Sequence, residues 1–316
     1  MFNIPIAYII FNRPRHTRKT FATIRARRPT KIFIIADGPR LEHPTDTERC
    51  REVRKIVENI DWPCEVYRNY ANQNLGLKQR VSSGLDWVFR KVEKAIVLED
   101  DCLPHPDFFT FCKLLLDHYE TDERVWVITG NNFQDGCKRG EAAYYFSKYT
   151  HCWGWATWRK AWQHYQDNFS FWSEWKNSAD WHRKTPDQVE RKYWSNIFGM
   201  VNRGEINSWA YPWMANVWYY GGLTATPNVN LVTNIGLGPD GTHTIANKDQ
   251  EGLPAFSIGP LTHPKEIAQD LKADRYVFDH TFGGINQRLH RRLQRLPRRV
   301  LGKFSRIIKV GLDELL

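Results

Sequence analysis

Residues 94–109 read KAIVLEDDCLPHPDFF, and this stretch indicates the fold class of the chain. The run AIVL is short and wholly apolar, which is typical of a strand buried on both faces of a parallel sheet. It ends in three consecutive acids, Glu99, Asp100 and Asp101. Neighbouring carboxylates repel one another, and they lose solvation when they leave water. A strand end that keeps three of them is therefore predicted to hold a cation or to transfer protons.

Strand-like and helix-like segments alternate through the first 135 residues. Strands are predicted, in chain order, in IPIAYIIFNR, KIFIIADGP, CEVYRNY, AIVLED and RVWVITG. Helices are predicted in RHTRKTFATIRARR, with Thr17 as a candidate N-cap, and in TERCREVRKIVENI, GLKQRVSSGLDWVFRKV and HPDFFTFCKLLLDHY. This alternation predicts an α/β fold, with a Rossmann-like, mostly parallel sheet and helices on both of its faces.

The pattern changes after about residue 135. Eleven of the 14 tryptophans lie between residues 153 and 218. In this aromatic-rich half, helices are predicted near 154–166 and 187–203, and a strand is predicted around 229–232. The chain is therefore expected to consist of a nucleotide-binding half and an aromatic half packed into one body.

The net charge of +10 is concentrated near the C-terminal end of the sequence. Residues 288–309 contain nine Lys and Arg and no acid, and residues 1–287 carry only +3. Apolar residues recur every three or four positions in the basic segment, which predicts an amphipathic helix on an anionic membrane surface. A nucleic-acid-binding arm and a helix docked on the body are the alternatives. No nucleic-acid partner is expected, because no base-stacking module accompanies the basic segment.

The sequence favours a cytoplasmic protein, peripheral on the inner face of a membrane. No apolar run approaches the ~20 residues that span a bilayer. The first residues show neither a basic segment nor a cleavage site of the kind that marks a signal peptide. The six cysteines show no CxxC spacing, so reduced thiols are expected.

Polar residues follow three of the predicted strands. Asn12 and Arg13 follow the first strand, Asp37 the second, and the acidic triplet the fourth. The carboxyl ends of parallel strands meet at one edge of the sheet, where ligands bind. Neither a GxGxxG nor a P-loop pattern accompanies them, so a divalent cation shared with substrate phosphates is the expected ligand. Capping of the helix near residue 106, or surface ion pairing, would be the structural explanation for the acids.

Eight stretches in a characteristic order resemble GT-A-fold glycosyltransferases. The similarity is to the bacterial family 2-like group, also labelled hemolytic-protein-like, and more distantly to N-acetylglucosaminyltransferase I. The stretches are IIFNRP, IIADGPR, NQNLGLKQRVSSGLDWVF, VLEDDCLPHPDFF, ITGNNF, HCWGWATWRKAW, SWAYPW and PNVNLVTNIGLGPDGTHT, which together cover roughly residues 4–280. The resemblance implies a metal-dependent, inverting hexosyl- or N-acetylhexosaminyltransferase. Its donor would be a UDP-sugar, and its acceptor a hydroxyl of a glycan or of a lipid-linked molecule.

The resemblance also implies three parts of the chain and a set of ligand contacts. Residues 1–135 would bind the nucleotide sugar, residues 136–285 would form the acceptor and catalytic half, and residues 286–316 would form the basic tail. Asp101 resembles the residue that binds Mn²⁺ or Mg²⁺, and Asp37 the carboxylate that accepts a hydrogen bond from uracil N3. The other donor contacts implied in the first half are Phe11, Arg13, Arg80, Glu99 and Asp100. An exposed position on its helix is the alternative for Arg80.

The aromatic half and the glycine-rich loop supply further expected contacts. Trp153 and Trp209 flank turns and are expected to contact the ligand, and Gly154 would let the backbone approach the donor. His243 is expected to reach the diphosphate or the cation, with a surface histidine as the alternative. Trp155, Trp158 and Trp162 would share one helical stripe, packed in the core or facing sugar rings.

The chain departs from the family pattern at Ala210. The stretch SWAYPW corresponds to a family pattern Trp-Asp-Tyr-x-Trp, in which the Asp resembles the general base. A methyl group cannot accept a proton, which leaves three explanations: a deliberately inactivated variant, a natural non-catalytic relative, or either another carboxylate such as Glu205 as the base or a different register of the match. A sugar nucleotidyltransferase and a non-catalytic nucleotide-sugar-binding protein are the alternative functions. The first of these usually has a glycine-rich loop after its first strand, which FNRPRHTRK lacks.

Overall fold

The strands and helices predicted in the first 135 residues are all present. The computed structural model describes residues 1–236 and 252–288. The strands are β1 (Ile6–Ile10), β2 (Lys31–Ala36), β3 (Glu65–Tyr70), β4 (Lys94–Glu99), β5 (Cys102–Pro104), β6 (Val125–Thr129), β7 (Tyr144–Ser147), β8 (Trp155–Trp158), β9 (Leu223–Pro227) and β10 (Val232–Asn234). The helices are α1 (Pro14–Arg27), α2 (Asp46–Glu58), α3 (Leu77–Phe89), α4 (Pro106–His118), α5 (Arg159–Trp162), α6 (Trp172–Trp175), α7 (Ala179–Lys184), α8 (Gln188–Asn202), α9 (Ala210–Tyr219) and α10 (Leu271–Thr281).

An eight-stranded sheet, in the order β3-β2-β1-β4-β8-β6-β9-β7, forms the centre of the structure. The strands β3, β2, β1 and β4 are mutually parallel, and β6 is parallel to β9. The strand β8 runs antiparallel to both of its neighbours, and β7 is antiparallel to β9. A separate antiparallel pair joins β5 to β10. The predicted α/β class with a mostly parallel sheet is confirmed.

Alternate residues of each strand enter different cores on the two faces of the sheet. In β1, for example, Tyr8 packs in one core with residues of α1, α2 and α4. Its neighbours Ala7 and Ile9 pack in the other core with residues of α3, α5 and α9. The aromatic half contributes a third core, to which Trp181, Trp194 and Trp218 belong. Helices therefore cover both faces, as the apolar strands predict.

The prediction of a helix near 154–166 is wrong. Trp155–Trp158 form the strand β8, and only one helical turn, α5, follows it. The strand β8 lies between β4 and β6, and all four of its residues are buried. Side chains alternate along a strand, so Trp155 packs in the core under α3 while Trp158 packs in the core under α4. The predicted stripe of Trp155, Trp158 and Trp162 is therefore wrong.

Two smaller differences concern element ends. The helix α1 begins at Pro14 with Arg13 as its N-cap residue, and Thr17 instead donates its hydroxyl to the Arg13 carbonyl at 3.0 Å. The strand expected around 229–232 begins only at Val232. The helix predicted near 187–203 is confirmed as α8, whose N-cap Asp187 accepts hydrogen bonds from two backbone amides.

All six cysteines are free thiols, as predicted. Among the described residues, no helix has the length and apolar character needed to cross a bilayer.

Gly84 allows α3 to lie directly on β2, because a Cβ at this position would come within 2.6 Å of Ile35 Cγ2. Gly199, inside α8, would meet only the end of the Arg203 side chain, at 3.2 Å. Both positions offer the same gain of roughly 0.5–1 kcal/mol in helix propensity on replacement by Ala. We therefore expect Gly84→Ala to lower the free energy of unfolding by ~1–3 kcal/mol through overpacking.

The matched control, Gly199→Ala, should leave the free energy of unfolding unchanged or raise it. Urea unfolding followed by tryptophan fluorescence measures both variants. Equal effects of the two substitutions would contradict the close packing of α3 on β2.

Candidate functional site

A cavity of about 870 Å³ opens beside the carboxyl ends of β1, β2 and β4. This volume lies within the range of small-molecule sites, roughly 300–1,000 Å³. Residues of both halves line the cavity. The predicted site residues in its wall are Phe11, Arg13, Asp37, Arg80, Glu99, Asp100, Asp101, Trp153, Trp209 and Ala210.

Arg13 and two of the acids form the charged end of the cavity. The strands β1 and β4 are parallel neighbours with Ile9 opposite Glu99, so the residues that follow each strand meet. The Arg13 guanidinium donates from Nη2 to Asp100 Oδ1 at 2.5 Å and from Nη1 to Asp101 Oδ2 at 2.9 Å. Asp100 also accepts a hydrogen bond from the Phe11 backbone amide at 3.3 Å. The alternative that these acids cap the helix near residue 106 is wrong, because the N-cap of α4 is His105.

Negative charge exceeds positive charge in this cluster. Burial raises the pKa of the Glu99 carboxyl to about 8, and the charge of Asp101 acts in the same direction. Burial likewise raises the pKa of Asp100 to about 6, although Arg13 opposes the shift. Burial alone would lower the pKa of the Arg13 guanidinium, but the charges of Asp100 and Asp101 hold it above its usual value. One guanidinium does not neutralise both Asp100 and Asp101, so the cluster favours a further cation.

The donor set suits a hard divalent cation. Carboxylate oxygens are the ligands that Mg²⁺ and Mn²⁺ prefer. Among the described residues, no three His, Cys, Asp or Glu side chains are arranged to hold a metal by themselves. A Mg²⁺ ion commonly takes one or two carboxylates and completes its coordination with water and substrate phosphates. The residues of the acidic cluster fit such a site.

Gly236 packs against the acidic cluster. The Ile235 backbone amide donates to the Asp101 carbonyl at 2.8 Å, and the Gly236 amide donates to Asn234 Oδ1 at 2.8 Å. A Cβ on Gly236 would lie 2.3 Å from Asp101 Oδ2 and 2.9 Å from Arg13 Nη1. Only glycine fits this close approach. Sequence reasoning noted the glycine-rich loop but did not assign Gly236 to the site.

Asp37 lies in the cavity wall, but its carboxylate is occupied by the chain itself. Oδ1 accepts from the Gly38 amide at 2.8 Å and from the Leu75 amide at 2.9 Å. Oδ2 accepts from Asn74 Nδ2 at 3.0 Å and from the Gly76 amide at 3.2 Å. A carboxylate offers about four acceptor positions. Asp37 therefore ties the end of β2 to the turn that starts α3, and it has little capacity left for a uracil imide.

Arg80 is buried rather than exposed, so the alternative of an exposed helix residue is wrong. Its exposed fraction is 4%, and it lines the cavity from α3. Its Nε and Nη2 have no hydrogen-bond partner among the described residues. Burial lowers the pKa of the guanidinium below its usual value, although Asp37 opposes the shift. Arg80 thus lines the same cavity as Asp37, with two buried nitrogens that have no partner among the described residues.

The two tryptophans expected to contact ligand differ in how much ring surface they offer. Trp209 is 2% exposed, and its ring stacks on Trp155 with centroids 5.5 Å apart, so it belongs mainly to the core. Trp153 is partly exposed, and its ring meets Phe133 edge-on at 5.4 Å. Trp153 is therefore the better placed of the two to contact a ligand.

Gly154 is not among the described residues that form the cavity. Gly154 has a φ of +75°, and a Cβ there would lie 2.8 Å from Val232 Cγ2. Backbone conformation and packing thus account for this glycine, which is not in the cavity wall. His243 lies outside the described residues.

Ala210 is the first residue of α9, where it lines the cavity and packs partly against the core under α3. Glu205 is exposed and receives hydrogen bonds from Arg203 Nε at 2.6 Å and Nη2 at 3.1 Å, which lower its pKa. It is not part of the cavity wall, so the structure does not favour it as a substitute base. His151, which sequence reasoning missed, does line the cavity. Burial lowers its pKa to about 3, which makes it a weak base.

Comparison with family models and with curated proteins finds no match. Several solved structures are similar to part of this chain. A 4-diphosphocytidyl-2C-methyl-D-erythritol synthase from Anaerococcus prevotii matches with a TM-score of 0.33 and 10% identity, over 52% of this chain and 75% of that one. UDP-glucose pyrophosphorylase matches with a TM-score of 0.29 and 12% identity, over 51% of this chain. The match covers 78% of the pyrophosphorylase chain in the structure with UDP-glucose and 79% of the chain in the apo structure. Similarity at this level carries no argument about the reaction or substrate of this chain.

Proposed function

We propose that the chain is a metal-dependent, inverting glycosyltransferase in which Ala210 occupies the position of the general base. The proposed donor is a UDP-sugar with Mn²⁺ or Mg²⁺, and the proposed acceptor is a hydroxyl of a glycan or lipid-linked molecule. One observation carries the proposal: a single cavity joins the carboxylates at the end of β4 to Ala210 in the other half. Inverting transfer needs a site for the leaving group and a base on the opposite side of the sugar.

Asp101 is the residue proposed to hold the cation, together with Glu99. Its side chain is 15% exposed, whereas that of Asp100 is 2% exposed, so Asp101 is the more accessible of the two. A bound cation would stabilise the negative charge that develops on the diphosphate as the glycosidic bond breaks. Asp100, held by Arg13 and the Phe11 amide, is proposed to keep the end of β1 in place beneath the donor.

Arg80 is proposed to contact the nucleotide base. Its unpaired Nε and Nη2 can donate to a carbonyl oxygen, and uracil presents one where cytosine presents an amino group. Asp37, which the resemblance pairs with the uracil imide, is proposed instead to hold the turn at residues 74–76 against the base. This division follows from the four hydrogen bonds that Asp37 already accepts.

Position 210 suits an ionised carboxylate. Ala210 is the first residue of a ten-residue helix, where the helix dipole favours negative charge. An aspartate there would be held in the ionised form that accepts a proton. With Ala210 present, the acceptor hydroxyl lacks this base, and the chain is expected to bind donor without efficient transfer.

Calorimetric titration with UDP, in Mn²⁺ and in EDTA, tests the proposed site. We expect UDP to bind in Mn²⁺ and to bind much more weakly in EDTA. Equal affinity under both conditions would exclude the metal site.

Two other functions give different results in companion assays. A sugar nucleotidyltransferase would release pyrophosphate from UTP and a sugar 1-phosphate. The segment after β1 does not favour this function, because Phe11-Asn12-Arg13 leads directly into α1 without a glycine. A non-catalytic binding protein would bind UDP and Mn²⁺ and remain inactive after the base is restored.

The substitution Arg80→Met should weaken UDP binding while it stabilises the ligand-free protein. Loss of a charged hydrogen bond to the base should lower UDP affinity by ~10-fold or more and affect CDP less. Removal of an unpaired buried guanidinium should raise the free energy of unfolding by ~1–3 kcal/mol. Competition binding and urea unfolding measure the two effects.

Arg54→Met is the matched control, because it removes a guanidinium that does have hydrogen-bond partners. Arg54 Nη2 donates to the carbonyls of Asp37 and Ala71, at 3.1 and 2.6 Å. Its loss should destabilise the protein. If Arg80→Met weakens UDP and CDP equally, Arg80 contacts the diphosphate and not the base.

Restoring the acid with Ala210→Asp should raise the rate of sugar transfer by about 10²–10⁴, the usual contribution of a positioned base. Donor affinity should stay within about threefold, because the base contacts the acceptor. Single-turnover transfer measures the first effect and titration the second. The assignment of position 210 is overturned if the Ala210 protein already turns over at ~1 s⁻¹ or faster.

The basic C-terminal segment is proposed to place the protein on an anionic membrane surface at the cytoplasmic face. Residues 289–316 lie outside the described part of the chain, whereas Arg288 is bound to Asp187 at 2.6 Å and to Asp279 at 2.9 Å. A chain truncated after Arg288 keeps these ion pairs. It should retain UDP binding but lose affinity for anionic vesicles, by up to ~1 kcal/mol per basic residue removed.

Vesicle sedimentation at low and high salt measures this effect, with neutral vesicles as the control. If the full-length chain does not bind anionic vesicles at low salt, the basic segment has another role.

A further inference from the structure

Arg13 contacts carboxylate oxygens that a cation at this site would also use. Its two terminal nitrogens contact Asp100 Oδ1 at 2.5 Å and Asp101 Oδ2 at 2.9 Å, so that one guanidinium bridges consecutive carboxylates. The side chain is 19% exposed and lies in the cavity wall. Arg13 therefore neutralises part of the cluster in the absence of any ligand.

The surroundings of Asp101 allow little room for a second cation beside Arg13. Oδ2 lies between Arg13 Nη1 and the backbone of Gly236. The glycine is so close that a Cβ built on it would come within 2.3 Å of Oδ2. Oδ1 has the Cys102 thiol at 3.6 Å. A cation that uses Oδ2 therefore competes with Nη1 for this oxygen.

We propose that Arg13 is an exchangeable counter-ion: it holds Asp100 and Asp101 in the ligand-free protein, and it transfers to the diphosphate when cation and nucleotide bind together. This inference rests on the proposed function. The guanidinium has two donors to offer to phosphate oxygens, and its fork geometry suits phosphate as well as carboxylate. Arg13 would thus be a positioning residue that couples the two ligands.

Charge balance gives the exchange a direction. Asp100 and Asp101 share one guanidinium in the cluster. A divalent cation can balance both of these carboxylates by itself, and it makes Arg13 redundant as their partner. A diphosphate then offers Arg13 a new anionic partner. Each ligand therefore favours the rearrangement that the other needs, and the coupling must be reciprocal.

The exchange predicts the behaviour of Mn²⁺ in the absence of nucleotide. The unaltered chain should bind Mn²⁺ weakly alone, because the cation must displace Arg13. Arg13→Gln should bind Mn²⁺ alone ~10-fold or more tightly, and its coupling to UDP should fall by a similar factor, within the ~5–150-fold range of such couplings. Electron paramagnetic resonance of free Mn²⁺ measures both affinities without any turnover.

Two control variants separate exchange from other effects. Arg40→Gln also removes one positive charge from the cavity wall, but Arg40 pairs with Asp46, at 2.7 Å, and not with the cluster. Arg288→Gln removes a guanidinium of the same 19% exposure that also bridges two carboxylates, away from the cavity wall. Both should leave the affinity for Mn²⁺ alone within about threefold of that of the unaltered chain.

Arg13→Lys keeps the positive charge, and it is the second test variant if Arg13→Gln does not fold. A single ammonium cannot bridge both carboxylates as the guanidinium does, so Mn²⁺ alone should again bind more tightly. Unchanged affinity for Mn²⁺ alone in the Arg13 variants, or an equal gain in Arg40→Gln, overturns the exchange even if UDP and Mn²⁺ bind. Absence of UDP binding at any Mn²⁺ concentration overturns the proposed function instead.

Discussion

The parallel pairing of β1 with both β2 and β4 is the constraint on which the site depends. Parallel strands end at the same edge of the sheet, so the residues after β1, β2 and β4 must meet there. Arg13, Asp37 and the acidic triplet come from distant parts of the sequence and share one cavity wall for this reason. The buried carboxylates of the cluster then need a positive partner, and Arg13 is the group that supplies it in the ligand-free chain.

The second half of the chain is fixed to the first through the sheet itself. The strand β8 lies between β4 and β6, and its Trp155 packs on Trp209, the residue before Ala210. The start of α9 is therefore positioned by contacts with the same strand that borders β4. This arrangement explains how residue 210 and the acidic cluster come to line one cavity although 109 residues separate Asp101 from Ala210 in the sequence.

Sequence patterns predicted the features that depend on local residues. The apolar strands, their order along the chain and the polar residues at their ends could all be predicted from short segments. Ten of the predicted site residues line the cavity. The features that were missed depend on tertiary contacts. Trp155 and Trp158 are spaced as on a helix, but burial on both faces makes their segment a strand. The saturation of Asp37 by the turn at residues 74–76, and the burial of Arg80, require knowledge of how α3 packs on the sheet.

The position of β8 also constrains how the chain can fold. Its neighbours β4 and β6 are complete by residue 129, yet they are joined only by a strand that begins at residue 155. Until that strand is available, β4 and β6 present unpaired edges of mostly apolar residues, which are prone to join other chains. During synthesis from the N-terminus, the first half must therefore wait for the second before its sheet can close. The first half of the chain is consequently not a separate folding unit, and a fragment that stops at residue 135 is expected to aggregate.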